Sequence, residues 1–188
     1  MNVGTIILIV VIAIVVFIIF YAIAVYNKLV GARNKVDDQW SQIDVQIKKR
    51  ADLIPNIVET VKGYASHEKD TLADVINARN MAVNAKSVDE EIKADNMITE
   101  AVSKLFALSE AYPDLKANTN FLSLQNDLKD IEEKIGYARQ FYNDTVMSYN
   151  NIIEMFPSNI IASMFKFKKA TFFDDVSEKE REVPKVKF

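Results

Sequence analysis

The sequence contains few side chains that could carry catalysis. Its 188 residues include one histidine and no cysteine, which excludes thiol nucleophiles, thiolate metal sites and disulfides. The histidine, His67, is followed by Glu68-Lys69-Asp70-Thr71, and a zinc-protease helix needs a second histidine where Thr71 stands. A Ser-His-Asp arrangement would depend on the same histidine, and no nucleophile motif accompanies it. The residue types therefore predict no catalytic residue and no metal site.

Binding motifs for larger cofactors and for nucleic acids are equally scarce. The sequence has four glycines, with no P-loop and no G-x-G-x-x-G fingerprint. A di-iron carboxylate bundle needs two Glu-x-x-His motifs, which one histidine cannot supply, so Glu132 and Glu133 are interpreted as solvent-facing. A formal net charge of −3 argues against a general nucleic-acid surface. We expect no enzyme activity, no cofactor and no nucleic-acid partner.

Amide and tyrosine side chains are the polar groups that stand out. Tyr142-Asn143 and Tyr149-Asn150 recur one heptad apart. Polar residues beside a helix seam can set helix register and partner choice at a cost in stability. The simpler interpretation is that they are ordinary flanking positions. The functional interpretation is a polar seam, as internal layers or as an assembly face, formed by Gln42, Asp44, Arg139, Asn143 and Asn150.

The elements that position these groups are predicted to be helices. Four glycines and four prolines are about a third of average usage. Sandwiches, barrels and Rossmann-type folds need turn residues far more often. The sequence therefore predicts an all-α fold built from a few long helices.

The first element is an apolar run that predicts a membrane anchor. Residues 3–25 carry no charge, and as a helix they span about 35 Å, enough for a hydrocarbon core of about 30 Å. The alternative is a cleaved signal peptide, because Ala22-Ile23-Ala24 resembles a cleavage site. No basic residue precedes the run, and the run is longer than a signal core, so a retained anchor is favoured.

The charges that flank this run predict its orientation. Lys28, Arg33 and Lys35 follow the span before any acidic residue appears. The positive-inside rule then predicts a single-pass protein of the inner (cytoplasmic) cell membrane, with its N-terminus outside and its C-terminal domain in the cytoplasm.

Apolar spacing divides the remainder into four predicted helices. Helix 1 continues from the anchor to about Lys49, and helix 2 runs from Leu53 to about Ala85, with Pro55 in its first turn. The alternative is one continuous helix kinked at Pro55. Ser87-Val88-Asp89-Glu90 is a capping box that opens helix 3, which runs to Tyr112. Helix 4 extends from Phe121 to Phe156, with apolar residues at alternating steps of three and four.

Together these helices predict an antiparallel four-helix bundle over residues 28–156, after an anchor at 1–27. The fourth helix returns toward the membrane, and residues 160–169 are apolar and then basic. We predict a membrane-interface group consisting of Tyr21, Tyr26, Lys28, Phe165, Lys166, Phe167, Lys168 and Lys169. The alternative is a short helix that caps the bundle. Within the final segment, 157–188, residues 174–188 are predicted to be an extended tail, with Val186 and Phe188 tucked onto the domain.

Several runs of residues resemble the LemA family, in order and over nearly the whole chain. They are Trp40–Arg50, Asp52–Ala65, Ala111–Asn118, Tyr137–Asp144, Tyr149-Asn150, Phe156-Pro157 and Pro184–Phe188. Small departures are Ala51, where the family often has histidine or an aromatic residue, and Gly136, where alanine is usual. The resemblance implies a bacterial single-pass membrane protein with a helical domain. It implies no reaction and no active-site residue.

The main functional hypothesis is a membrane-anchored helical interaction module or scaffold, with the bilayer and a protein as partners. Its candidate interaction surface contains Asp52, Asn56, Tyr64 and His67. The second hypothesis is a self-assembling, homo-oligomeric protein that organises the membrane. The third is a sensor or uncharacterised enzyme with a ligand pocket in the bundle.

Overall fold

The all-α fold is confirmed by a computed structural model, which describes residues 2–173. That part of the chain contains six helices and no strand. The helices are α1 (Val3–Lys62), α2 (Lys69–Asn84), α3 (Val88–Ser109), α4 (Pro113–Lys116), α5 (Thr119–Glu154) and α6 (Ser158–Met164). The apolar run lies in the first third of α1, which is long and apolar enough to cross a membrane.

The predicted turn before Pro55 is wrong, because α1 passes through this residue without interruption. Proline removes one backbone donor from a helix interior. The apolar stripe continues on both sides of it, since Ala51, Ile54 and Ile57 are all buried. Pro55 itself lies on the exposed face. Burial of the stripe therefore outweighs the lost hydrogen bond, and the alternative of a continuous helix is the correct one.

The chain reverses later than predicted, between α1 and α2. The predicted helix over residues 53–85 is in fact the end of α1, a turn at residues 63–68, and α2. Ala65 is buried within this turn, and its N–H donates to the Val61 carbonyl at 2.8 Å. The turn keeps Ala65 at an inward position of the stripe, so apolar spacing alone did not reveal the reversal.

The predicted N-cap of α3, Ser87, is confirmed, whereas the reciprocal bond of Glu90 reaches Lys86, the residue before the cap. The Glu90 N–H donates to Ser87 Oγ at 3.3 Å, and the Glu90 carboxylate accepts from the Lys86 N–H at 2.8 Å. The predicted end at Tyr112 is three residues too late. Pro113 instead begins the single turn of α4, where its missing N–H costs little.

The chain forms two compact units, and α1 and α5 contribute to both. The distal unit comprises residues 40–140, and the described part of the proximal unit comprises residues 2–39 and 141–173. The predicted boundaries at 27 and 156 remain predictions.

In the distal unit, segments of five helices, α1 to α5, share one apolar core. Its largest fully buried side chains include Ile54, Ile57, Ile98, Leu105 and Phe121. Contacts fix the directions of the helices. Arg50 reaches Glu132, whereas Tyr64 reaches Asn118, so α1 and α5 run antiparallel. The first and last long helices of this unit are thus antiparallel, as predicted, whereas predicted helix 1 and the first part of predicted helix 2 are one continuous helix.

In the proximal unit, α6 and residues 165–173 follow α5. Ile161 and Ala162 of α6 are buried, whereas Ile160 and Met164 are more than half exposed. One face of the short helix thus packs on the protein and the other is open. The predictions for residues 174–188, including Val186 and Phe188, lie outside the described residues.

Candidate functional site

Two asparagines of α5 hold the segment that follows α6. The Asn150 side chain donates to the Ala170 carbonyl at 3.0 Å and accepts from the Ala170 N–H at 2.9 Å. Asn143 makes the same pair of bonds to Phe173, at 3.1 and 2.8 Å. Each amide therefore satisfies both backbone groups of one residue. An asparagine carries both the donor and the acceptor that this requires.

Two tyrosines complete the arrangement. The Tyr142 hydroxyl donates to the Thr171 carbonyl at 2.9 Å, and the Tyr149 hydroxyl donates to the Lys168 carbonyl at 3.0 Å. Burial raises the pKa of Tyr149, with the nearby charges of Arg33 and Asp37 acting in opposite directions. We call Tyr142, Asn143, Tyr149 and Asn150 the clamp, and residues 168–173 the strap.

The clamp explains the heptad repeat noticed in the sequence. Residues seven apart lie two turns apart on the same helix face, so one face of α5 follows the strap along its length. All the bonds described reach backbone atoms of the strap, and therefore do not depend on its side-chain types. The predicted seam residues Asn143 and Asn150 bind a chain segment within the proximal unit.

Most of the predicted membrane-interface residues gather beside the strap. The Tyr26 ring lies 4.8 Å from the Phe165 ring and 5.8 Å from the Phe167 ring, measured between centroids. Lys169 forms an ion pair with Glu154. Tyr21 and Lys28 line a neighbouring pocket with Phe156. The structure thus brings Tyr26 of α1 into contact with the predicted interface residues that follow α6. Arg33 of α1 also contacts this segment, through the Phe167 ring.

The distal unit contains a buried charge network that the sequence analysis missed. Asp95 is completely buried and binds two arginines, Arg50 at 3.0 Å and Arg139. Arg50 also reaches Glu132 at 2.6 Å and Thr99 at 2.9 Å. We call Arg50, Asp95, Glu132 and Arg139 the charge network. It links α1, α3 and α5.

The signal for this network was present in the apolar spacing. Arg50 lies three residues after buried Ile47, and Arg139 lies four after buried Ile135. Asp95 lies three before buried Ile98. Each charge thus occupies an inward position, where an unpaired charge would be very costly. Opposite charges on inward positions of different helices predict a buried pair.

The remaining seam residues do not reach this network. Gln42 is exposed, and Asp44 accepts from Lys48 of the same helix at 2.6 Å. Half-buried Glu91 faces this pair. Burial raises the pKa of Glu91, and the Asp44 charge adds to that effect. Of the predicted seam, only Arg139 belongs to the charge network.

The candidate interaction residues Asp52, Asn56, Tyr64 and His67 are all exposed. Asp52 lines an open groove between α1 and α5, whereas the Tyr64 hydroxyl accepts from Asn118 at 2.9 Å. His67 lies in the turn before α2. Its neighbour Glu68 accepts from the Tyr112 hydroxyl at 2.9 Å, and this bond raises the pKa of Tyr112. Within residues 2–173, no cluster of three acidic or histidine side chains could hold a metal.

Comparison with known proteins places this architecture in a family. The sequence profile of the LemA family matches residues 39–188. This chain belongs to the LemA family. The match covers the distal unit, the clamp and the strap, and it confirms the resemblance found in the sequence.

The individual proteins that this chain is similar to share less than a third of its residues. Protein LemA of Metamycoplasma hominis is 28% identical, with 87% of this chain and 75% of the relative covered. Magnetosome proteins MamQ 1 and MamQ 2 of Paramagnetospirillum magneticum are each 23% identical, with 80% of this chain covered. The chain spans 65% of the length of these MamQ proteins.

Proposed function

We propose that this LemA family protein is a membrane-tethered, non-catalytic scaffold whose distal unit docks partner proteins in the cytoplasm. The apolar run and the buried stripe of the distal unit belong to the same helix, α1. A partner that binds the distal unit is thereby recruited to the membrane. The basic residues after the run, Lys28, Arg33 and Lys35, support a cytoplasmic location.

The groove between α1 and α5 in the distal unit carries this proposal. It has a volume of about 380 Å³ and is lined by Gln46, Lys49, Asp52, Leu53, Asp127, Asp130, Ile131 and Lys134. Leu53 and Ile131 are its partly buried apolar residues, and most of the other lining residues are charged side chains of both signs. An apolar centre with a polar rim is the usual organisation of a protein interface. The groove is suited to a helix with an apolar stripe and flanking charges.

Charge reversal at the rim tests this function. Asp52 is an exposed residue that lines the groove, and Asp74 is another exposed aspartate, on α2 and outside the groove. Three versions of the full chain are compared: wild type, Asp52→Lys and Asp74→Lys. Each is crosslinked in native membranes and purified under denaturing conditions. Because only Asp52 lies at the groove, Asp52→Lys should lose the crosslinked partner. Asp74→Lys should retain it.

Equal retention by both variants would show that the groove is not the docking surface. A crosslinked species that contains only a second, differently tagged copy of the chain would support the self-assembly hypothesis instead. A wild-type chain without any crosslinked partner would contradict the scaffold function.

A further inference from the structure

One residue beside the strap has a backbone conformation that favours glycine. Lys166 has φ of 58°, and no other residue among those described, glycines included, has positive φ. It follows α6 in a Schellman motif: the Lys166 N–H donates to Ser163 and the Phe167 N–H donates to Ala162. A lysine in this region costs about 1–2 kcal/mol relative to glycine. Its presence indicates that the side chain has a use.

Lys166 contributes to a basic pocket with an aromatic wall. The pocket has a volume of about 330 Å³, and its lining includes Tyr26, Arg33, Phe165, Lys166, Phe167 and Lys168. The guanidinium carbon of Arg33 lies 5.6 Å from the Phe167 ring centroid. Tyr149, which also lines the pocket, holds the Lys168 backbone, so the clamp keeps this basic loop beside α1.

The charges of this pocket are positive. Among the described residues, 2–173, no carboxylate lines it. Among residues 2–173, no acidic side chain lies within ion-pair distance of Arg33, Lys166 or Lys168, whereas neighbouring Lys169 is paired with Glu154. Asp37, one helical turn beyond Arg33, is the nearest acidic residue along α1. Three cations that converge on one pocket fit a phosphate group.

The height of the pocket above the apolar run matches that of lipid phosphates. Arg33 follows Val25 by eight residues, a rise of about 12 Å along the helix. Side chains in a helix tilt toward its N-terminus, which for Arg33 is toward the apolar run. The headgroup layer on one side of a bilayer is about 5–7 Å thick. The guanidinium therefore lies near the phosphate level, and the half-exposed Phe165 ring, 4.8 Å from the Tyr26 ring, offers apolar surface to the acyl boundary.

We propose that Arg33, Lys166 and Lys168 form a binding site for the headgroup phosphate of an anionic phospholipid. Tyr26 and Phe165 contact the upper part of its acyl chains. The inference rests on the membrane tether of the proposed function, but not on the docking groove. The clamp orders the loop that carries two of the three cations.

Matched charge removals in the full chain test the site. The experiment compares wild type, Lys166→Gln and Lys169→Gln in mixed micelles. Each protein is titrated with fluorescent phosphatidylglycerol and, separately, with fluorescent phosphatidylcholine. Lys166→Gln should weaken phosphatidylglycerol binding by on the order of tenfold, the effect of losing one charge-assisted hydrogen bond. Lys169→Gln removes the same charge from a residue paired with Glu154, so its binding should stay near that of wild type.

A third variant separates binding from folding. Lys166→Gly should weaken phosphatidylglycerol binding as much as Lys166→Gln does, while its thermal midpoint equals or exceeds that of wild type, because glycine favours the observed φ. Equal weakening by Lys166→Gln and Lys169→Gln would overturn the site. Equal binding of phosphatidylcholine, or displacement of the labelled lipid by inorganic phosphate alone, would also overturn it. Release of the wild type from native membranes by an alkaline wash would instead contradict the membrane tether of the proposed function.

Discussion

The two units use buried polar side chains in different ways. The distal unit buries charges: Asp95 binds Arg50 and Arg139 across three helices. The proximal unit uses neutral amides and hydroxyls, and Asn143 and Asn150 bind only backbone atoms of the strap. Charge pairing specifies which helices meet, because any other arrangement leaves a charge unpaired. Hydrogen bonds from the asparagines to the strap backbone fix the path of the strap and leave the strap side chains available to bind other groups.

This difference matches the two proposed roles. The distal unit presents a groove whose lining depends on correct pairing of α1 with α5. The proximal unit presents lysines from a loop that is ordered through its backbone. Helix packing thus shapes the groove proposed to bind a protein partner, and the clamp orders the loop proposed to bind lipid.

The largest expected effect comes from breaking the charge network. Asp95→Asn removes the buried carboxylate that Arg50 and Arg139 share, so we expect a loss of about 3–5 kcal/mol in the free energy of unfolding. Denaturant titration of the full chain in micelles, followed by fluorescence of Trp40 in the distal unit, measures this loss. The exposed control Asp74→Asn should change the free energy by less than about 0.5 kcal/mol. Equal effects from both substitutions would contradict the assigned role of the network.

A smaller, local effect is expected from breaking the clamp. Asn150→Ala removes two hydrogen bonds to Ala170, a cost of about 1–3 kcal/mol at about 0.5–1.5 kcal/mol each. The Ala170 amide should then exchange hydrogen faster, while amides of α3 in the distal unit keep their protection. The neighbouring exposed residue provides the control, Asn151→Ala. Unchanged exchange at Ala170 would show that the asparagine does not hold the strap.

The smallest effect concerns a single hydrogen bond in the distal unit. The bond to Glu68 raises the pKa of Tyr112 above its ordinary value of 10.0. The stability from this bond is therefore complete below pH 10 and is lost as the pH rises through the higher folded value. Phenolate absorbance, corrected by the Tyr112→Phe variant, should show the pKa of Tyr112 falling in Glu68→Gln. An unchanged titration would show that the bond does not control this tyrosine.

Much of the fold followed from the sequence because burial is periodic. The continuous 3/4 spacing predicted both ends of α5 to within two residues, and Ser87 marked the start of α3. The Pro55 region was misread because a local breaker was given more weight than the buried stripe around it. The reversal after Lys62 was missed because Ala65 stays in register across the turn.

The site was less accessible to sequence reasoning. The repeat of Tyr142-Asn143 and Tyr149-Asn150 marked the correct residues, but a helical pattern does not show that an extended segment lies against them. The charge network was detectable from inward-facing Arg50 and Asp95, since each occupies an apolar register position. The φ of Lys166 is a property of the folded chain and had no signal in the sequence.

The most direct test of the tethered scaffold is the side of the membrane on which the distal unit lies. The chain has no cysteine, so Asn77→Cys, at an exposed position on α2, provides a unique label. A membrane-impermeant maleimide should label it in inverted vesicles, but not in intact cells until they are permeabilised. Labelling in intact cells would place the distal unit outside and contradict the proposed function.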